Sequence, residues 1–134
     1  MAKPYYEFFC PVKVIAGNAA LEHIPFELAT LGAKRPLIIT DKGVRANGLL
    51  SPIEAAFSTT DAVIGAIFDD VPPDSSLEVA RLAAEVYRKQ KCDAIIAIGG
   101  GSVIDTSKAT NILVSEGGDD LLQYAGAHNL PKPL

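Results

Sequence analysis

The stretch CDAIIAIGGGSVIDTSKA, Cys92 to Ala109, decides the fold. Ala94 to Ile98 is an unbroken apolar run of strand length with no polar alternation, the pattern of a strand covered on both faces. Gly99, Gly100, Gly101 and Ser102 follow at once, and a helix is predicted from about Val103 to Leu113. Consecutive glycines let the backbone turn tightly, remove every Cβ from the approach, and leave the first amides of the helix free to meet an anion. Ser102 can add a hydroxyl donor, and Lys108 lies two turns further along the helix. A tight strand-to-helix connection would also use glycine, but three in succession exceed what such a turn needs. Two familiar phosphate motifs do not fit. The dinucleotide fingerprint would need glycine at 104, where Ile104 stands, and a Walker A loop would need glycine directly before Lys108, where Ser107 stands.

Working outward, Pro36 to Thr40 and Ala62 to Phe68 repeat the buried-strand pattern, with helical segments between them. Strand and helix in alternation specify a parallel α/β sheet flanked by helices. Ser75 and Glu78 read as a capping box opening a helix to about Lys89, with Leu77, Ala80, Ala84 and Tyr87 inward and Arg88, Lys89 and Lys91 at its carboxyl end. Asn18 is expected to cap a short turn through His23, and Pro25 to begin a helix reaching Leu31 and stopping at Gly32. Ser51-Pro52 opens another helix by the same logic. Tyr5 to Phe9 and Lys13 to Ala16 read as short edge strands or a bent hairpin, separated by Pro11. The tail from Gly117 reads as a connector with one helical turn at Asp120 to Tyr124.

The chain has 134 residues, 49% hydrophobic and 21% charged, a length that can bury a core without disulfide staples. Its two cysteines, Cys10 and Cys92, suit a reducing cytoplasm. Twelve Lys and Arg against sixteen Asp and Glu give a net charge of -4, which excludes a sequence-independent nucleic-acid binder. No apolar run approaches the roughly 18 residues that span a bilayer, and the N-terminus lacks the pattern of a secretory signal. A soluble cytoplasmic domain with neither nucleic acid nor membrane as partner is the expectation.

Ligands in open α/β sheets bind at the carboxyl ends of the strands. Asp41 ends the strand Leu37-Ile38-Ile39-Thr40, where a carboxylate can accept from both hydroxyls of an adenosine ribose and repel a 2′-phosphate. The same aspartate could instead cap a helix or stabilise a turn. Asp119 and Asp120 lie about 20 residues past the glycines but follow a Gly-Gly turn rather than a strand, so they are set aside as ribose ligands.

Three segments together resemble a known family. GGGSVIDTSKA (Gly99 to Ala109), LIITDKGV (Leu37 to Val44) and FDDVPPDSSLEVA (Phe68 to Ala80) are similar, in order and spacing, to the nucleotide-binding signatures of the iron-dependent (type III) alcohol dehydrogenases. The resemblance runs from about Tyr6 to Leu134. It implies a Rossmann-like sheet of the dehydroquinate synthase-like superfamily, with residues 1–134 forming the N-terminal NAD-binding domain of a two-domain enzyme. It further implies that Gly99, Gly100, Gly101 and Ser102 surround the cofactor pyrophosphate, that Asp105 lies along the same cofactor, and that Asp41 selects NAD over NADP. Asp105 would equally suit the first turn of a helix through the dipole. Family members often carry Asn where Asp74 follows Pro73. The family's divalent iron or zinc is held by one Asp and three His from a helical domain absent here, and His23 and His128 do not supply that set. The implied reaction exchanges a hydride between nicotinamide and a small alcohol or aldehyde, with this chain alone inactive. A homo-oligomer, a dimer through the aromatic N-terminal strand, is also implied. The alternatives are a free-standing non-catalytic nucleotide-binding module, or the matching domain of a glycerol dehydrogenase, maleylacetate reductase or hydroxyacid transhydrogenase.

Overall fold

The computed structural model describes residues 5–126 and 129–130. Among them, three strands form one parallel sheet: β1 (Pro36–Thr40) lies at its centre, with β2 (Ala66–Phe68) on one side and β3 (Ala94–Ile98) on the other. The register pairs Pro36 with Ala94 through Thr40 with Ile98, and Leu37 with Ala66 through Ile39 with Phe68. Side chains fasten β1 to β3 at both ends. The Asp93 carboxylate accepts from the amides of Lys34 and Arg35 at 2.8 and 2.7 Å, and the Thr40 hydroxyl donates to the Ile98 carbonyl at 2.7 Å.

Successive residues of a strand face opposite sides, and β1 buries both. Leu37 and Ile39 pack with Phe68, Ala83 and Val103, beneath the helices α4 (Leu77–Lys89) and α5 (Gly101–Glu116). Ile38 packs the other way, on Leu28 of α1 (Ile24–Thr30) and on Ile53 and Phe57 of α3 (Ser51–Phe57). Between β1 and α3 lies α2 (Lys42–Ala46), a single short turn that the sequence pattern does not announce. On the α4/α5 side, Ala80, Ala84 and Leu113 are fully buried, and Thr110, whose hydroxyl donates to the Thr106 carbonyl at 2.8 Å, sits 3.4 Å from the Ala80 carbonyl of the facing helix. Small side chains there let the two helices approach closely.

Several elements differ from their sequence expectations. Helix α4 is capped by Ser76, whose hydroxyl accepts from the Val79 amide at 3.3 Å, rather than by Ser75. Glu78 is drawn to Arg81, which holds its carboxyl below the usual range, so it does not close a capping box. Leu77, at the open first position of the helix, is exposed. Arg88 leaves its own helix end and donates to the carbonyls of Leu113 and Gly118 and to Asp119, closing the carboxyl end of α5, where Gly117 takes a left-handed φ of 84°. The 3₁₀ turn Ala20–His23 starts at Ala19 with no side-chain cap, so Asn18 does not serve as one, and α1 begins at Ile24, one residue before Pro25.

Strand β2 is only the last part of the expected Ala62 to Phe68 run. Ahead of it, Val63 and Gly65 make isolated bonds to the Lys34 and Pro36 carbonyls, and Gly65 is pressed against Cys92 and Arg35. Strand β3 is half-buried with Ala97 exposed, because it forms an edge of the described sheet. Residues 5–16 form no strand: their aromatic residues stand in solvent without a neighbouring ladder, and a lone strand has nothing to satisfy its amides. Helix α5 is longer than expected at both ends, and the turn near Asp120 is a 3₁₀ turn, Leu121–Tyr124. His128 and residues 131–134 lie outside the described residues. No helix among the described residues is long and apolar enough to cross a membrane.

Candidate functional site

All three strands deliver the chain to the same edge of the sheet. Asp41 follows β1, Asp69 follows β2 and Gly99 follows β3. The helices after β1 and after β3 lie on opposite faces, so the crevice between these two strands is the switch point at which open parallel sheets take ligands. A cleft of about 540 Å³ opens there, lined by Asp41, Lys42 and Gly43 on one side, Asp69 to Pro73 on another, and Gly100 to Val103 at the head of α5. That volume falls in the range of small-molecule sites.

The three glycines have different reasons to be glycine. Gly99 has φ +156°, and a Cβ there would lie 2.7 Å from Val103 Cγ2 and 3.3 Å from Asp41 Oδ2. It is required by the turn itself, and it lies outside the cleft lining. At Gly100 and Gly101 a Cβ would meet nothing within 4 Å, and neither has a positive φ. Neither packing nor backbone conformation opposes a Cβ at these two, and their lack of side chains keeps this part of the cleft open. Their helix is sixteen residues long, and its first amides have no carbonyl one turn earlier to bond. An anion seated there meets both those donors and the positive end of the helix dipole.

Asp41 does both things the sequence allows. Its Oδ1 accepts from the Val44 amide at 2.8 Å and caps α2, while the side chain lines the cleft and directs Oδ2 toward Gly99. Ser102 also lines the cleft, but its hydroxyl donates to the Pro73 carbonyl, which the sequence does not foretell. Asp105 is not brought into the cleft: it is exposed on α5 and pairs with Lys108 at 3.8 Å. Asp119 pairs with Arg88, and Asp120 caps the 3₁₀ turn through the Leu122 amide, so both have structural roles. Asp74 is exposed and leaves the cap of α4 to Ser76.

The wall from Asp69 to Pro73 is part of the site that residue-by-residue reading did not assign. Asp69 pairs with Arg45 and Asp70 with Lys42, at 2.7 and 2.8 Å, tying the wall to α2. The paired Asp70 pushes the exposed Lys42 amine above its ordinary value. A signal was available in the acidic pair placed directly after a strand and the rigid Pro72-Pro73 behind it. A second cleft of about 360 Å³, apolar and lined by Ile15, Leu21, Ile24 and Ile95 among others, lies beside β3 and has no glycine turn.

Residues 11–134 match the family model described as iron-containing alcohol dehydrogenase. The chain belongs to that family. It is 33% identical over 128 residues to the NAD-dependent methanol dehydrogenase of Bacillus methanolicus, covering 95% of this chain and 33% of that protein. It is also 33% identical over 135 residues to the 1,3-propanediol dehydrogenase of Klebsiella pneumoniae, covering 100% of this chain and 35% of the relative. The structure of an alcohol dehydrogenase from Oenococcus oeni superposes with a TM-score of 0.84 at 30% identity, over 97% of this chain and 34% of that one. The chain therefore spans about a third of the length of these relatives, and within it the fold is the Rossmann-like part of an iron-containing alcohol dehydrogenase.

The family name implies iron. Among the described residues no group of three or more His, Cys, Asp or Glu could hold a metal ion. The cleft's carboxylates are engaged otherwise, Asp41 as a cap and Asp69 and Asp70 in ion pairs. The described residues do not fit the metal.

Proposed function

We propose that this chain is the NAD-binding unit of an alcohol dehydrogenase, with the metal and the alcohol or aldehyde held by sequence of the kind its longer relatives carry beyond this third. The observation that carries the reading is the pair Gly100 and Gly101, whose glycine identity neither packing nor backbone conformation demands, at the head of α5 and inside the cleft. The pyrophosphate would be held by the backbone amides of Gly101, Ser102 and Val103, with Gly100 and Gly101 leaving room for its approach. Asp41 would accept from the adenosine ribose and, being anionic beside the glycine turn, would repel a 2′-phosphate. Bound NAD would supply the hydride acceptor, while this chain would supply orientation and electrostatics. No residue of the cleft is given the role of acid, base or nucleophile, so the chain alone should not oxidise alcohols.

Calorimetric titration of NAD and NADP into the chain tests the reading. NAD should bind more tightly than NADP, and Asp41→Ala should narrow the gap. Equal affinity for the two dinucleotides in the wild type would remove Asp41 from its role, and no binding of either would remove the function. NADH formation from a short-chain alcohol by the 134 residues alone would contradict the division of labour. The run of aromatic residues Tyr5, Tyr6, Phe8 and Phe9, all exposed, supports a second copy as partner, which sedimentation of Tyr6→Ser/Phe8→Ser against the wild type would reveal as a loss of dimer.

A further inference from the structure

The Ser102 hydroxyl has one proton to give, and in this structure it gives it to the carbonyl of Pro73. Phosphate oxygens of a bound dinucleotide are acceptors only, so Ser102 cannot donate to them while that bond stands. The bond joins the head of α5 to the far wall of the cleft. That wall, Asp69 to Pro73, is held at its other end by Arg45 on Asp69 and Lys42 on Asp70, and in its middle by Val71, which is buried in the core. Pro72 and Pro73 have no amide with which to fasten themselves. The Ser102 bond therefore closes the end of the wall that the ion pairs do not reach.

We propose that Ser102 is a positioning residue: its hydroxyl latches the 69–73 wall to α5, and the phosphates are carried by the backbone amides of the glycine turn. This rests on the nucleotide reading above. The exposed apolar face of the wall, Pro72 with Pro73, then forms the surface for the adenine ring, and Ser102 sets its distance from the phosphate cradle. A phosphate ligand and a latch make opposite demands on the same side chain. Removing a ligand weakens phosphorylated nucleotides alone, whereas removing a latch loosens the wall even with no ligand present and weakens adenosine and ADP alike.

The test uses the 134-residue chain as wild type, Ser102→Ala and Ser102→Thr, the last retaining a hydroxyl. Amide hydrogen exchange is followed at residues 69–71 and 74–76 without ligand, and adenosine and ADP are titrated by calorimetry. In Ser102→Ala these amides should exchange several-fold faster, and both adenosine and ADP should weaken by a similar factor, about 3- to 10-fold for one lost hydrogen bond. Ser102→Thr should restore both. Unchanged exchange in Ser102→Ala overturns the latch whatever the nucleotides do. Faster exchange with adenosine unaffected and ADP weakened overturns the positioning role and makes Ser102 a phosphate ligand. A wild type that binds neither adenosine nor ADP refutes the nucleotide reading, and the exchange comparison still decides whether the latch exists.

Discussion

Alanine at Gly99 and alanine at Gly101 should separate folding from binding within one turn. At Gly99 the new methyl would lie 2.7 Å from Val103 Cγ2 and 3.0 Å from Val103 Cβ, on a backbone with φ +156°. The conformational strain is about 1–3 kcal/mol, and crowding of a buried valine adds about the same again. Taking about 3 kcal/mol as the working figure, and about 3–4 °C per kcal/mol for a chain of this size, Gly99→Ala should melt about 10 °C lower than wild type. At Gly101 a Cβ meets nothing within 4 Å and the residue opens α5 without a positive φ. Alanine there should leave stability unchanged or raise it by about 0.4–1 kcal/mol by restricting the unfolded chain. The same methyl enters the space where a phosphate must approach the first-turn amides, and losing one such charge-assisted bond weakens binding about 10- to 100-fold. Thermal melts followed by circular dichroism, paired with calorimetric titration of ADP, read both effects. If Gly101→Ala binds ADP as the wild type does, the open space at Gly101 has nothing to do with phosphate. If Gly99→Ala melts with the wild type, the assignment of Gly99 to the turn is wrong.

Three further outcomes follow from the packing. Ser76→Ala should cost about 1 kcal/mol in urea denaturation while Ser75→Ala changes nothing measurable; the reverse order would restore the cap to Ser75. Arg88→Met should destabilise by about 1–3 kcal/mol because the carbonyls of Leu113 and Gly118 lose a charged donor, and a loss below about 0.5 kcal/mol would show that water replaces it fully. Burial pushes the Cys92 thiol above its ordinary value, with Asp93 adding to the shift and Arg35 opposing it. The folded state therefore holds that proton more tightly than the unfolded chain. This contribution to stability is complete below the ordinary thiol range, about 8.5, and is lost as pH rises through the folded-state value. Wild type should lose more stability than Cys92→Ala between pH 8 and 10, and Ellman's reagent should label exposed Cys10 at once but Cys92 only on unfolding. Parallel pH profiles for the two proteins would refute the shift.

The parts legible in the sequence are those that depend on local pattern. Pro36 to Thr40 and Ala94 to Ile98 carry no charged residue and no polar alternation, Thr40 at the end of the first spending its hydroxyl on the Ile98 carbonyl, and their bounds as strands match the pattern residue for residue. Ser51-Pro52 and the glycine turn are punctuation of the same kind. What was not legible depends on partners distant in sequence. Gly65, just ahead of β2, has to be glycine because Cys92 and Arg35 would meet any Cβ there, and neither lies nearby in the chain. Tyr5 to Phe9 has strand composition but no strand to pair with among the described residues. Ser102 is legible as a donor, yet its acceptor is a carbonyl 29 residues earlier that brings the wall of the cleft to α5. The sequence leaves Asp41 open between a cap and a ligand contact because both use the same position at the end of a strand, and the geometry lets one oxygen do the first while the side chain lines the cleft.

The nucleotide site is tested most directly by titrating ADP into the isotopically labelled chain and following each amide by NMR. The amides of Gly100, Gly101, Ser102 and Val103 should shift first and furthest, in step with those of Asp41 and Lys42, and saturate together. No shift at these amides, or shifts gathered instead around Ile15, Leu21 and Ile95 in the second cleft, would contradict it.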